Sequence, residues 1–141
     1  MREILFKGKR VDNGEYMPGS YGDWVYGSYG LKLNVATGEH DEYIMESVYN
    51  GATNSSYFVD YKIIPGTAGQ YTGIADKNGK GIYEGDIIRF IKKNCLVIFV
   101  ENDCAFRIEV DGRISTALRK AHSKDYEVIG NIHDKGEDDE V

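Results

Sequence analysis

The sequence predicts a mainly β protein. An N-terminal β-rich lobe spans residues 1–64, a small SH3-like barrel with one short helix spans 65–133, and an acidic tail occupies 134–141, the alternative being one compact domain overall. Three observations predict it. Glycine is abundant and proline scarce, 17 against 2, which suits a chain that turns tightly through positive φ. The 11 tyrosines are residues that fit pleated, half-buried surfaces. Apolar residues alternate with polar or small ones in short segments separated by turn residues, a period of two rather than 3.6.

Ile4–Lys7 predicts the first strand, and Gly8–Gly22, with Asn13-Gly14 and Pro18-Gly19, a turn-rich connection. Trp24–Leu33 predicts a strand whose glycines mark a bulge or a close backbone approach. Thr37-Gly38 turns the chain back into Tyr43–Tyr49, Asn50–Ser56 is a polar loop, and Tyr57–Ile64 is a strand stopped by Pro65-Gly66. Asn78-Gly79 predicts a type I′ hairpin turn, in which both central residues have positive φ. Asp86–Lys92, Cys95–Glu101 and Ala105–Val110 then form a meander closed by Asp111-Gly112. Ile114, Ala117, Leu118 and Ala121 fall at i, i+3, i+4 and i+7, predicting a helix capped by Ser115 or Thr116 and running to Lys124. Tyr126–Ile132 alternates again as the last strand.

Charge narrows the function classes. The formal net charge is −6, but it is uneven: residues 1–10 carry +3 and 134–141 carry −4. The tail has no apolar period and repels itself, so it is expected to be disordered. No apolar run approaches the roughly 18 residues of a membrane helix, and Met1–Arg10 lacks a secretory cleavage pattern, so no membrane partner and a cytoplasmic location are expected. Cys95 and Cys104 are accordingly expected to be reduced and buried as small hydrophobes.

Motifs for catalysis fail one by one. Asp76, Asn78 and Gly81 fit three positions of a calcium loop, yet Lys80 and Ile87 stand where two ligands belong. His40, His122 and His133 lack zinc-ligand spacing, and Gly79-x-Gly81 extends into no phosphate-binding loop. No serine sits in a nucleophile-elbow context, and Glu84 and Asp86 flank a glycine as turn formers do. No catalytic, metal or cofactor residue is assigned, and a non-enzymatic protein is expected. Single-stranded nucleic-acid binding is the alternative. Lys92, Lys93, Arg107 and Arg113 supply its cations, beside Phe90, Phe99 and Phe106, provided they converge on one face.

The run from Gly69 to Ile87, GQYTGIADKNGKGIYEGDI, resembles the YopX family of phage and prophage proteins. Three further blocks agree in order: Arg2-Glu3-Ile4 with Trp24-Val25-Tyr26-Gly27, Val97-Ile98-Phe99 with Ala105–Ile108, and Tyr126–Ile132. The family's Asn-Pro-Glu-Leu-like ending is replaced here by Asp134-Lys135-Gly136-Glu137, so nothing tied to that terminus carries over. The resemblance implies a prophage-encoded, largely β protein of the bacterial cytoplasm that self-associates; it implies no reaction. The motif residues are Gln70, Thr72, Gly73, Asp76, Asn78, Gly79, Tyr83, Glu84, Gly85 and Asp86. Their physical chemistry suits folding better than ligand binding: Asn78-Gly79 turns the chain, Gly85 opens a strand tightly, Tyr83 and Ile87 pack inward, and Asp86 accepts from local amides. The leading expectation is a module that binds itself, or a host or phage protein, through tyrosines: Tyr16, Tyr21, Tyr26, Tyr29, Tyr43, Tyr49, Tyr57 and Tyr61.

Overall fold

The computed structural model describes residues 4–11 and 22–134. The Arg2-Glu3 start, the turns at Asn13-Gly14 and Pro18-Gly19, Tyr16, Tyr21 and the acidic run after Asp134 lie outside the described residues. The protein is mainly β and its strand pairs are antiparallel. Its contacts divide into two units, the chain passing from one to the other between Gln70 and Tyr71.

The first unit is built from β1 (Phe6–Lys9), β2 (Trp24–Asn34), β3 (Glu39–Asn50) and β4 (Ser55–Lys62) in the order β4-β3-β2-β1. The start of β5 (Gly69–Ala75) pairs with β1, Gln70 facing Phe6. Alternation decides the buried face. Val25 and Tyr29 on β2, Ile44 on β3 and Tyr61 on β4 point the same way, and with Ile63, Phe6, Val59 and Ala68 they form the core. Gly27 and Gly30 make the close approach expected of them: a Cβ at Gly27 overlaps the Met45 carbonyl, and one at Gly30 lies 2.7 Å from the Met45 methyl. The strand pair is thus sealed by Met45 lying where two side chains are missing. At the far end Arg10 bridges to Ile63, and the Ile64 amide donates to the Lys9 carbonyl at 2.7 Å.

The second unit contains the rest of β5, its partner β6 (Gly81–Tyr83), and a five-stranded sheet in the order β10-β9-β8-β7-β11. Those strands are β7 (Asp86–Phe90), β8 (Lys93–Val100), β9 (Ala105–Val110), β10 (Arg113–Ala117) and β11 (Glu127–Asn131). Ile82, Ile88, Cys95, Val97, Ile108, Leu118 and Tyr126 are its buried core. Here too a single face supplies them: Ile88 is opposite Cys95, and Val97 opposite Ile108.

Three expectations are corrected, and two strands were not foreseen. The helix from Ser115 or Thr116 to Lys124 is absent; β10 occupies Arg113–Ala117, and a 3-10 turn follows at Lys120–Asp125. The apolar stripe never forms one face, since Ile114 and Ala121 are exposed while Leu118 is buried. Instead β9 offers a ladder edge, and the Arg107 guanidinium donates to the Ser115 carbonyl from Nε at 3.1 Å and Nη2 at 2.7 Å. These tertiary partners outweigh a weak helical propensity. Asn78-Gly79 is not a type I′ turn, because only Gly79 has positive φ; the Asp76 carboxylate accepts from the Asn78 and Lys80 amides and shapes a different loop. Cys104 is exposed at a left-handed position ending the 3-10 turn Glu101–Asp103, whereas Cys95 is buried as expected. Finally, the segments Gly69–Ala75 and Gly81–Tyr83 are strands that glycine-rich composition concealed.

One turn runs against residue preference. Ile91 and Lys92 both have positive φ, 49° and 61°, between the paired Phe90 and Lys93. A β-branched residue there is strained by roughly 1–2 kcal/mol. Replacing Ile91-Lys92 with Asn-Gly is therefore expected to raise stability by about 1–2 kcal/mol, read from urea unfolding midpoints. An unchanged or lower midpoint contradicts the strain.

Candidate protein interface

β4 is the edge strand of the first unit. Its eight residues pair with β3 without a register shift, from Asn50 opposite Ser55 to Tyr43 opposite Lys62. Edge strands are ordinarily protected by proline, bulges or charges. β4 has no proline and no bulge, and its two charges are engaged within its own sheet: Asp60 with Lys32, and Lys62 with Asp41 at 3.4 Å. At the C-terminal end the edge is covered, because the Lys62 carbonyl accepts from the Val11 amide at 2.8 Å. Among the described residues, Ser55–Tyr61 has no further strand beside it.

The period of two places Tyr57, Val59 and Tyr61 on the core side and Phe58 on the other. Phe58 is 74% exposed and Tyr57 47%, so this edge carries one exposed aromatic on each face. Tyr49, also exposed, lies opposite Ser56 on the Phe58 face. The other tyrosines separate by role. Tyr29 donates to Glu42 at 2.9 Å, and burial, then that carboxylate, pushes its phenol up. Tyr61 is buried beneath Arg10, 4.8 Å from the ring, and burial and then Glu46 raise it despite the guanidinium. Tyr43 is covered by Lys32, whose Nζ is 4.5 Å from the ring. Phe58 is the residue that a count of tyrosines misses, although strand alternation in Tyr57–Lys62 points it outward.

The glycine-rich motif is turned in on the chain. Gln70 is half-buried on β5. Thr72 donates to the Ile82 carbonyl at 2.8 Å, and Gly73 has φ 85° where the β5–β6 register shifts. Asp76 Oδ1 accepts from the amides of Asn78 and Lys80, and Oδ2 from Val128, each at 2.9 Å. Gly79 and Gly85 have φ of 81° and 92°. The Tyr83 ring lies 5.3 Å from Tyr71, and its amide donates to Asp86 Oδ2 at 2.8 Å. Asp86 Oδ1 accepts from Asn131 Nδ2 at 2.9 Å, while Glu84 is half-buried. Among the described residues, no group of three His, Cys, Asp or Glu is arranged to hold a metal.

The four cations named for nucleic acid do not share a face. Lys93 lies opposite Phe90 on the core side of the sheet, ion-paired with Asp111 at 3.4 Å. Arg107 lies opposite Ile98 on the other side, bound to Asp103 at 2.7 Å and to the Ser115 carbonyl. Lys92 and Arg113 are exposed at hairpin ends. Of the three phenylalanines only Phe99 is appreciably exposed, at 40%. This arrangement offers no cationic groove lined by aromatics.

Among the described residues, no helix is long and apolar enough to cross a membrane. A family model described as YopX protein matches residues 23–137, most of the chain. No curated protein matches the sequence.

Proposed function

The chain belongs to the YopX protein family, and on that premise we propose that it is a non-enzymatic phage or prophage protein of the bacterial cytoplasm that self-associates by pairing β4 with β4 of a second copy. The observation that carries this reading is the edge of β4, beside which no further strand lies among the described residues and which is flanked by Tyr57 and Phe58. Strand addition supplies main-chain hydrogen bonds, and alternating side chains set the register. A twofold axis normal to the sheet brings residues of the same face opposite one another. Centring it on Phe58 sets Phe58 against its counterpart, Tyr57 against Val59 and Ser56 against Asp60, pairs that attract or tolerate one another. Centring it on Asp60 opposes two carboxylates. The second unit, with its meander β7–β10, a 3-10 turn and β11 returning beside β7, is read as an SH3-like barrel.

The test is sedimentation velocity over a concentration series. Wild-type protein is expected to gain mass with concentration, more readily at higher salt because screening relieves repulsion between copies of charge −6. Phe58→Asp brings two carboxylates together at the axis and is expected to weaken association at least about tenfold, roughly 1.4 kcal/mol. Val35→Asp, at an exposed site away from β4, leaves it unchanged. A wild-type monomer at every concentration, or equal weakening by both variants, refutes the proposal.

A further inference from the structure

Between the hairpin β7–β8 and strands β9 and β10, the second unit holds an open cup of about 360 Å³. Its lining is mainly apolar: Phe90, Ile91, Cys95, Ile108 and Val110, with Lys93, Ser115 and Thr116 as the polar members. We propose that this cup is a binding site for a small, uncharged, largely apolar ligand.

Several independent features meet at the cup. Its volume falls in the range of small-molecule pockets, roughly 300–1,000 Å³, and suits a ligand near the low end. Ile91 is 75% exposed and held at positive φ on the rim. A strained, exposed aliphatic at the mouth of an apolar cavity is a combination that folding alone does not favour. On the opposite wall the register of β10 shifts between Ile114 and Ala117, carrying Ser115 and Thr116 into the lining. Arg107 clamps that irregularity from the other side of the sheet through the Ser115 carbonyl. Such bulges re-aim side chains beside binding sites.

Charge selects the ligand class. Lys93, the charged member of the lining, is ion-paired with Asp111 at 3.4 Å, so the lining's one charge is already matched. Burial, and then Asp111, pushes the Cys95 thiol up against the opposing effect of Lys93, which keeps that wall neutral. The hydroxyls of Ser115 and Thr116 supply hydrogen-bonding partners for one polar group. The cup belongs to the second unit and β4 to the first, so failure of self-association leaves the cup standing.

Cys95 makes the cup testable, since Cys104 is removed by Cys104→Ser. The full-length Cys104→Ser protein is treated with N-phenylmaleimide or N-methylmaleimide, and modification of Cys95 is followed by mass spectrometry. The Cys95 sulfur, having lost its proton to solvent, adds to the maleimide double bond; one S–C bond forms, the π bond is lost, and the neighbouring carbon takes a proton from water. Binding before reaction predicts a rate that saturates with N-phenylmaleimide and stays linear with the methyl reagent. The unreactive N-phenylsuccinimide is expected to protect Cys95 at least tenfold. Val110→Trp, or Thr116→Trp should the first not fold, fills the cup and is expected to abolish saturation. Linear kinetics with both reagents, or no protection by the succinimide, overturns the proposal and leaves the cup as a face for a macromolecular partner or for none.

Discussion

Replacing Asp86 with Ala is expected to destabilise the protein by about 3–5 kcal/mol and to lower its Tm by roughly 10 °C or more. The carboxylate is fully buried, and its two oxygens accept from the Tyr83 amide and from Asn131 Nδ2. Deleting it strands both donors away from water, and an unpaired buried donor costs about 1–3 kcal/mol. Asn131 is itself tied into the end of β11: its amide donates to Asp134 and its Oδ1 accepts from the His133 amide. One carboxylate thus fixes the end of β6 to the end of β11. Asp86→Asn keeps one acceptor and is expected to lose about half as much. Urea unfolding of both variants decides the matter, and a loss below about 1 kcal/mol for Ala sinks the assignment.

The second large effect belongs to Asp76. Its carboxylate accepts three backbone amides, two in its own turn and one, Val128, 52 residues away. Asp76→Ala is expected to cost about 3 kcal/mol. Burial pushes this carboxyl up, but the amides of Val128, Lys80 and Asn78, helped by the Lys80 charge, outweigh burial and hold it below its ordinary value of 3.8. A lowered folded pKa means that the unfolded chain takes the proton first. The stabilisation is therefore complete well above 3.8 and fades as the pH falls through the folded value. The stability gap between wild type and Asp76→Asn should be constant from neutral pH to about pH 5 and close below that. A gap that widens on acidification contradicts this account.

These two residues also show how much of the site was legible. The glycine-rich motif stood out as a string, and Asp86 was expected to accept from local amides, which the Tyr83 contact bears out. Nothing local announces that Asp76 reaches Val128 or that Asp86 reaches Asn131, because both partners arrive only when β11 pairs with β7. The β4 edge divides in the same way. Alternation in Tyr57–Lys62 identifies Phe58 as outward-pointing, but only the strand order makes β4 an edge rather than a central strand. The cup was not foreseeable, since its walls come from two hairpins and a register shift held by Arg107.

What the sequence by itself determined is what period and composition control: the β class, most strands, and the turns at Pro65-Gly66 and Asp111-Gly112, whereas Ile87, expected inward, lies on the face opposite the core residue Ile88. Side chains two apart share a face whatever the neighbouring strand, so that information is local. The fate of Ile114–Lys124, the shape of the Asn78-Gly79 loop and the left-handed Ile91-Lys92 turn were decided by tertiary structure. In each, local preference amounts to about 2 kcal/mol or less per residue, and a ladder edge, a buried carboxylate or a strand register supplies more. Local propensity yields wherever a distant partner offers the backbone a better hydrogen bond.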